Sequence, residues 1–210
     1  MTEMGLTPDG RVRRRVLAGL GGLGLTAGLA GLTARPAMAE VQSASLMSAS
    51  PLSSAFKNTS SRTLSLHNVH TGERLTETYW RGGYQAESLA RINHLLRDWR
   101  SGEVIEIDRN LLDLLHAVSQ RLGTTETFDI ISGYRSPKTN ANLRKKSSCV
   151  AKNSFHTKGK AMHIQLPGQG LKGLRNAAWE MQAGGVGYYA KSGFVHVDTG
   201  RVRYWNWKPA

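Results

Sequence analysis

Three histidines in the last third of the chain are candidates for a metal site. His156 lies in the segment 154–159 (SFHTKG), His163 follows seven positions later, and His196 is central in the segment 194–198 (FVHVD). Imidazole nitrogen is a preferred zinc ligand, and a catalytic zinc ion typically takes three protein ligands plus water. If the strand and loop ends that carry them converge, these side chains can hold one zinc ion. The spacing alone is also compatible with three separate structural histidines.

The other four histidines are predicted to be structural. His94 and His116 lie within predicted helices, whereas His67 and His70 flank a turn, where hydrogen bonding within the fold is the expected role. A position at the rim of a cleft is the alternative for the last two. Cys149 is the only cysteine, so it cannot form an intrachain disulfide. A nucleophilic role for it explains fewer neighbouring residues than the metal site does.

Alternation and helical periodicity predict the elements that position these residues. Residues 63–68 and 75–80 each alternate apolar with polar side chains, which predicts a β-hairpin. Two helices are predicted next, over 86–99 and over 109–122, the second with Asp108 as its N-cap.

The second half of the chain mixes strands with short helices. Alternation along 161–166 places His163 on the strand face opposite to Met162 and Ile164. A single α+β domain with a central antiparallel sheet flanked by helices is therefore the predicted fold. The predicted elements are a strand over 128–132, a helix over 137–146, a strand over 161–166, a helix over 171–183, strands over 187–189 and 194–198, and an aromatic close at 204–207.

The composition is typical of a folded, strongly basic protein. The 210 residues carry 28 Lys+Arg against 15 Asp+Glu, a formal net charge of +13, and 40% are hydrophobic. These values exclude an acidic disordered chain and a collagen-like chain, and the single cysteine excludes a disulfide-stapled miniprotein. The positive charge suits anionic cell-wall polymers or lipid surfaces, and by charge alone it also suits nucleic acid.

The first 39 residues are predicted to be an export signal. Arg14 and Arg15 precede a weakly apolar, glycine-rich run over 16–33, and an Ala-Met-Ala cleavage site ends at Ala39. The paired arginines and the low hydrophobicity indicate the twin-arginine route. A membrane anchor is the alternative, which the repeated glycines disfavour. Cleavage after Ala39 predicts a periplasmic or otherwise exported protein without a stable membrane span.

Export also narrows the expected partners. The segment 1–39 holds five basic and two acidic side chains, so its removal leaves a net charge of +10. Nucleic acid is disfavoured as a partner, because the protein is expected to leave the cytoplasm and carries no recognition motif. Residues 40–62, rich in Ser, Ala, Thr and Asn, are predicted to be a flexible leader, and the domain is expected over 63–210.

Several segments of the chain resemble the murein endopeptidase K family. They are ISGYRSPKTN at 131–140, VAKNSFHTKGKA at 150–161, GGVGYY at 184–189 and GFVHVDTG at 193–200. That family belongs to the zinc peptidases that include the D-alanyl-D-alanine carboxypeptidases and the hedgehog signalling domain. The resemblance implies a zinc peptidase-like domain. Shorter matches lie at 70–73, 96–98 and 202–205.

The resemblance implies zinc ligands residue by residue. The family pattern Ser-x-His-x-x-Gly-x-Ala-x-Asp supplies a histidine and an aspartate, and a later histidine supplies the third ligand. Here Ser154, expected to contact substrate, and His156 match, and His196 matches the third ligand. His163 stands where the family has aspartate. Imidazole Nδ1 and carboxylate Oδ are each one bond beyond Cγ, so His163 can in principle replace the carboxylate, with a bulkier ring and one negative charge fewer.

The resemblance also implies a role for Arg135. It matches the arginine of the family's Ser-x-x-Arg, a clamp for a substrate carboxylate or the developing oxyanion. Asp198 lies two residues beyond His196 and on the same strand face, which makes it a candidate general base or a partner that orients an imidazole. A carboxylate that caps the following turn is the alternative. Relatives often have an acidic residue three positions before the last ligand, where this chain has Gly193.

These features predict an exported, monomeric zinc metallopeptidase that hydrolyses peptide cross-links of peptidoglycan. His156, His163 and His196 are expected to hold Zn2+, whose water attacks the scissile amide, while Arg135 stabilises charge and Asp198 moves the proton. Its partners would be the stem peptides, and diaminopimelate-linked cross-links are the family's expected substrates. The alternative is a noncatalytic murein-binding protein with a zinc site impaired at His163.

Overall fold

The computed structural model describes residues 51–56, 59–148 and 150–206. Several predicted features lie outside these residues: the export signal, Cys149, Trp207, and the part of the leader other than 51–56 and 59–62.

The first half of the domain contains the predicted hairpin and two helices. Both helix positions and both strand positions agree with the periodicity of the sequence, and a further four-residue helix precedes them. The elements are α1 (Pro51–Ser54), β1 (Arg62–Asn68), β2 (Arg74–Trp80), α2 (Ala86–Leu95) and α3 (Arg109–Leu122). The N-cap of α3 is the predicted Asp108, whose side chain accepts a hydrogen bond from the Asn110 backbone N–H.

Helix α2 ends at Leu95, although its apolar periodicity predicted a helix to residue 99. The chain turns around Asp98 instead. The Asp98 carbonyl accepts hydrogen bonds from the backbone N–H of Ser101 at 3.1 Å and of Gly102 at 2.7 Å. The Asp98 side chain accepts another from the N–H of Arg100 at 3.1 Å. A backbone committed to this turn cannot continue the helical ladder.

The second half alternates strands and short helices, as predicted, with two additions: a single 3₁₀ helix carries His156, and a strand covers most of the predicted aromatic close. The predicted helix over 171–183 ends at Glu180, and strand β5 begins two residues before its predicted start. The elements are β3 (Phe128–Ser132), α4 (Pro137–Lys146), the 3₁₀ helix (Phe155–Lys158), β4 (Ala161–Gln165), α5 (Leu171–Glu180), β5 (Gly185–Tyr189), β6 (Phe194–Asp198) and β7 (Arg203–Asn206).

All seven strands form one sheet in the order β2-β1-β3-β4-β6-β5-β7. The pairs β1–β3 and β5–β7 are parallel, and the other four pairs are antiparallel. The α+β class with a mostly antiparallel central sheet is thus confirmed.

The two faces of β4 and β6 have different surroundings. On one face Met162, Ile164, Val195 and Val197 are fully buried in the core, to which α3 and α5 also contribute their apolar faces. Because side chains alternate along a strand, the intervening residues of both strands lie on the opposite face. His163 is therefore held in position by the burial of its two neighbours.

Gly133, which follows β3, lies in close contact with the end of α2. A Cβ at this position would lie 2.6 Å from the carbonyl oxygen of Leu96. That carbonyl accepts a hydrogen bond from the Tyr134 N–H at 2.9 Å. The Gly133 carbonyl in turn accepts one from His156 Nδ1 at 2.8 Å. Glycine is required here because any side chain would push this loop away from α2.

We predict that Gly133→Ala destabilises the domain by about 1–3 kcal/mol, since the clash is with backbone that has to move. The free energy of unfolding measured by urea denaturation provides the check. Gly173→Ala, in α5, is the matched control because its Cβ would meet nothing within 4 Å. The control should be neutral or stabilising by up to about 1 kcal/mol. A Gly133→Ala protein as stable as the wild type would contradict the proposed constraint.

Candidate metal centre

The pairing of β4 with β6 brings two histidines together. His163 lies directly opposite His196 in the antiparallel register. Directly opposed residues project to the same face of a sheet, and the two ring centroids lie 5.2 Å apart. Two residues that are 33 positions apart in the sequence thus become neighbours through strand pairing alone.

The 3₁₀ helix adds His156 to this pair. Ser154 caps the helix by accepting a hydrogen bond from the His156 N–H at 3.3 Å. His156 donates from Nδ1 to the Gly133 carbonyl, which leaves Nε2 as the nitrogen with a lone pair. That Nε2 is buried and has no hydrogen-bond partner in the described part of the chain. One ligand atom from each of the three histidines lies within 4.8 Å of the other two.

Asp198 holds His196 from behind. Its Oδ2 accepts a hydrogen bond from His196 Nε2 at 2.8 Å, which leaves Nδ1 of that ring for another ligand. Arg203 binds both carboxylate oxygens, at 2.9 and 2.6 Å. The backbone N–H groups of Gly185 and Gly200 donate to Oδ1 at 3.2 and 2.9 Å.

This environment determines what Asp198 can do. Its carboxylate is completely buried, at 0% exposure. Burial by itself would raise the pKa, but the hydrogen bonds from His196 and Arg203 outweigh burial and lower the pKa of Asp198 well below its usual range. A carboxylate with so low a pKa and five donors around it is a weak proton acceptor. Of the roles considered for Asp198, the geometry favours orientation of His196, together with a turn cap at Gly200.

Gly185 leaves the space that this buried ion pair occupies. A Cβ on Gly185 would lie 2.3 Å from Arg203 Nη1 and 2.5 Å from Asp198 Oδ2. Gly184 and Gly185, which follow α5, therefore serve close packing around Asp198. Sequence reasoning did not identify Arg203 as part of the site, although it lies within the short matching segment at 202–205.

His163 differs from the other two histidines in its polar contact. Arg135 Nη2 lies 3.3 Å from His163 Nδ1, and because a guanidinium can only donate, Nδ1 is the acceptor. The nitrogen that was expected to replace a carboxylate oxygen is thus shared with Arg135. The ring itself is held by stacking on Phe194, with the centroids 4.2 Å apart and an interplanar angle of 16°.

Arg135 is a buried cation without an anionic partner. It is 8% exposed, and its Nε donates to Ser132 Oγ at 2.8 Å. No carboxylate of the described residues forms an ion pair with it. Burial, with a smaller contribution from the positive charge of Arg100, lowers the pKa of Arg135 to about 10. A buried guanidinium in this state is ready to bind an anion supplied by a ligand.

These groups line one cleft of about 570 Å³. Five of the six predicted site residues line it: Arg135, Ser154, His156, His163 and His196. Asp198 lies directly behind His196 and outside the cleft. His70 also lines the cleft, which confirms the rim position considered for it. Among the described residues that line the cleft, none is Asp or Glu.

The three imidazoles of the cleft are held in the neutral form that a metal requires. Burial is the main cause that lowers the pKa of His156, His163 and His196, and the positive charge of Arg135 lowers it further. At His196 the hydrogen bond and the negative charge of Asp198 oppose this effect without cancelling it. A neutral imidazole presents the lone pair that binds a metal ion.

Comparisons with known proteins place this domain in a family context. The family model described as peptidoglycan L,D-endopeptidase MepK matches residues 56–205. The peptidoglycan L,D-endopeptidase MepK of Escherichia coli (strain K12) is 48% identical over 145 residues, which cover 69% of this chain and 80% of that protein. The probable peptidoglycan L,D-endopeptidase MepK of Haemophilus influenzae is 41% identical over 146 residues, 69% of this chain and 78% of that protein.

In the described ranges, none of the helices has both the length and the apolar character needed to cross a lipid bilayer.

We predict that Asp198→Asn lowers the affinity of the three-histidine cluster for a divalent metal ion about 10- to 100-fold, because His196 loses the carboxylate that fixes its orientation and basicity. Competition with a chromophoric chelator measures the affinity. Asp129→Asn is the matched control, since Asp129 forms a similar pair with His67, at 2.7 Å, outside the cleft. Equal affinities for the Asp198 variant and the wild type would exclude this positioning role.

The lowered histidine pKa values predict acid-sensitive stability of the metal-free protein. Below the ordinary histidine pKa of about 6.5 the unfolded chain binds more protons than the folded chain, so stability falls as the pH falls. Each buried imidazole contributes a slope of up to about 1.4 kcal/mol per pH unit. Urea unfolding at pH 7.5 and 5.5 in the presence of a chelator measures this loss. A stability independent of pH would contradict the prediction.

Proposed function

The chain belongs to the family of the peptidoglycan L,D-endopeptidase MepK, and from this premise we propose that it hydrolyses peptide cross-links of peptidoglycan with a zinc ion held by His156, His163 and His196. One observation carries the proposal: the three imidazoles converge at the floor of a cleft, and the buried Nε2 of His156 has no partner there in the described chain. A metal ion would supply the partner that this nitrogen lacks.

The donor set fits zinc. Three imidazoles are a known ligand set for catalytic zinc, and two of these rings are fixed through their second nitrogen, His156 by the Gly133 carbonyl and His196 by Asp198. Three protein ligands leave a coordination position facing the cleft. Zinc bound there would supply a Lewis acid that polarises the scissile carbonyl and lowers the pKa of a coordinated water.

Arg135 binds the substrate in this proposal. Its guanidinium is buried, lines the cleft beside His163 and has no carboxylate partner in the described chain. An incoming carboxylate or the developing oxyanion would neutralise it through charge-assisted hydrogen bonds. Metal binding at His163 Nδ1 would displace Arg135 Nη2 and leave this guanidinium free to bind the anion.

Asp198 acts as a positioning residue in this proposal. Its oxygens are saturated by His196, Arg203 and two backbone N–H groups, so it fixes an imidazole and keeps one full negative charge beneath the site. No carboxylate among the described residues lines the cleft, so proton transfer falls to solvent or to an imidazole. Among the described residues that line the cleft, His70 is the histidine outside the three-histidine cluster. Ser154 contributes by capping the 3₁₀ helix that presents His156.

The cellular location and the oligomeric state are also part of this proposal. We propose that residues 1–39 are a twin-arginine signal cleaved after Ala39, that 40–62 form a leader, and that 63–210 act as a monomeric periplasmic domain. The charge of +10 that remains after cleavage favours encounter with an anionic wall.

A noncatalytic murein-binding protein is the second candidate, and one contact favours it. Arg135 occupies Nδ1 of His163, the atom expected to take the place of a family carboxylate oxygen, so the site lacks an anion where relatives have one. A site that binds zinc weakly for this reason would still keep the cleft and its buried Arg135.

Substitutions at His163 separate these two functions. If His163 is a working ligand, His163→Ala loses stoichiometric zinc and lowers the cleavage rate of a cross-linked muropeptide about 100-fold or more, since removing a ligand weakens metal binding by more than loss of an outer partner. His163→Asp should then cleave no faster than the wild type. Zinc content by elemental analysis and product formation by chromatography are the two readouts.

His94→Ala is the matched control, because this exposed histidine on α2 lies outside the cleft and should change neither readout. A wild type without zinc after reconstitution, together with a His163→Asp protein that gains both zinc and about tenfold or greater activity, would overturn the zinc peptidase proposal. That result would establish the murein-binding alternative for the wild-type chain.

A further inference from the structure

A second cavity adjoins the cleft that the three histidines line. The second cavity measures about 500 Å³ and shares Arg100 and Leu143 with the main cleft of about 570 Å³. Lys138 and Lys146 line it together with Glu103 and polar side chains. A bound molecule can therefore run from the histidines, past Arg100, to the two lysines.

The charges in this second cavity are unbalanced. Arg100, Lys138 and Lys146 provide three cations against the single carboxylate of Glu103. None of these four groups forms an ion pair within the described residues. Arg97, only three positions before Arg100, pairs with Glu73 at 2.8 Å. The cations that line the cavity thus lack the neutralising partner that a neighbouring arginine has.

The position of Arg100 is fixed by the same residue that fixes the loop of Arg135. Asp98 is fully buried, and its Oδ1 accepts the N–H of Arg100 at 3.1 Å while its Oδ2 accepts the N–H of Ser136 at 2.9 Å. The Arg100 guanidinium lies over the Trp99 ring, 4.1 Å from its centroid. One carboxylate therefore fixes the backbone at Arg100 and at Ser136, the residue after Arg135. The contact with Trp99 orders the Arg100 side chain, so less side-chain freedom is lost when a ligand binds.

Lys138 occupies a position that the helix itself disfavours. Ser136 caps α4 and Pro137 follows, so Lys138 lies in the first turn, where the positive end of the helix dipole repels a cation. Lys146, in the last turn, has the favourable position. Helix stability explains Lys146 but does not explain Lys138, whereas an anionic ligand in the cavity explains both.

Resting on the proposed function, we propose that Arg100, Lys138 and Lys146 form a second anion subsite, which binds a free carboxylate of a peptide stem while Arg135 serves the scissile region. The subsite gives the protein a preference for cross-links whose stems carry free carboxylates over cross-links whose carboxylates are amidated. A carboxylate ligand, unlike a neutral amide, neutralises the excess positive charge of the cavity.

Two probes test this subsite: a purified cross-linked muropeptide dimer with free carboxylates and the same dimer with these groups amidated. For the wild type we expect the free dimer to bind about fivefold or more tightly than the amidated one. Arg100→Gln should abolish this preference by raising KM for the free dimer, with kcat within about twofold. Arg100→Lys should retain most of the preference, because it keeps the charge.

Lys138→Gln provides a readout that a purely structural lysine would not give. It should weaken binding of the free dimer while leaving the urea midpoint unchanged or raised, because it removes an unfavourable charge from the first turn of α4. Arg81→Gln and Lys172→Gln are the matched controls, since both positions are exposed and outside the two cavities. They should leave the preference intact.

Binding measured by calorimetry in chelating buffer separates this subsite from the peptidase activity. Dimers that the zinc-reconstituted protein leaves uncleaved, but that still show a preference dependent on Arg100 in chelating buffer, would reject the proposed function and support the subsite. Cleavage with the same KM and affinity in the wild type and Arg100→Gln would overturn the subsite and leave the function standing. If Arg100→Gln weakens the binding of both dimers equally, or if the Arg81→Gln control weakens it as well, the attraction is a general effect of charge. That result would also overturn the subsite.

Discussion

The antiparallel pairing of β4 with β6 determines where the candidate site lies. It places His163 opposite His196, and the burial of Met162, Ile164, Val195 and Val197 on the other face fixes which way both rings point. A slip of either strand by one residue would turn the histidine of that strand into the core and expose its apolar neighbours, which their burial opposes. The remaining parts of the site, the 3₁₀ helix and the Asp198–Arg203 pair, add to a face that this register has already determined.

Charge is distributed in layers around the three imidazoles. Beneath them Asp198 holds one buried negative charge, shared between His196 and Arg203. Above them the described lining of the cleft contains arginine and histidine but no carboxylate. His163 stands where the family has aspartate, so the one anion expected at the metal is missing. A site of this kind attracts anionic ligands and offers only neutral imidazoles to a metal ion.

Much of this arrangement could be predicted from the sequence. Period-two and helical patterns located β1 to β6, α3 and α4 because those patterns reflect burial, whereas β7 was expected only as an aromatic close. The resemblance brought His156, His163, His196 and Arg135 together as one site. Contacts between distant backbone segments could not be predicted. The early end of α2 depends on how Asp98 turns the chain, and the contact of Arg135 with His163 depends on a side-chain conformation. The partnership of Asp198 with Arg203 required the parallel pairing of β5 with β7.

The central claim is that three imidazoles, including His163, hold the metal. X-ray absorption at the zinc edge of the zinc-loaded protein tests it most directly, because imidazole rings give a recognisable scattering pattern. The account predicts three imidazole nitrogens at about 2.0–2.1 Å and one further light atom. If the wild-type spectrum shows only two imidazoles, and the spectrum of His163→Ala is the same as that of the wild type, His163 is not a ligand. That result would contradict the account.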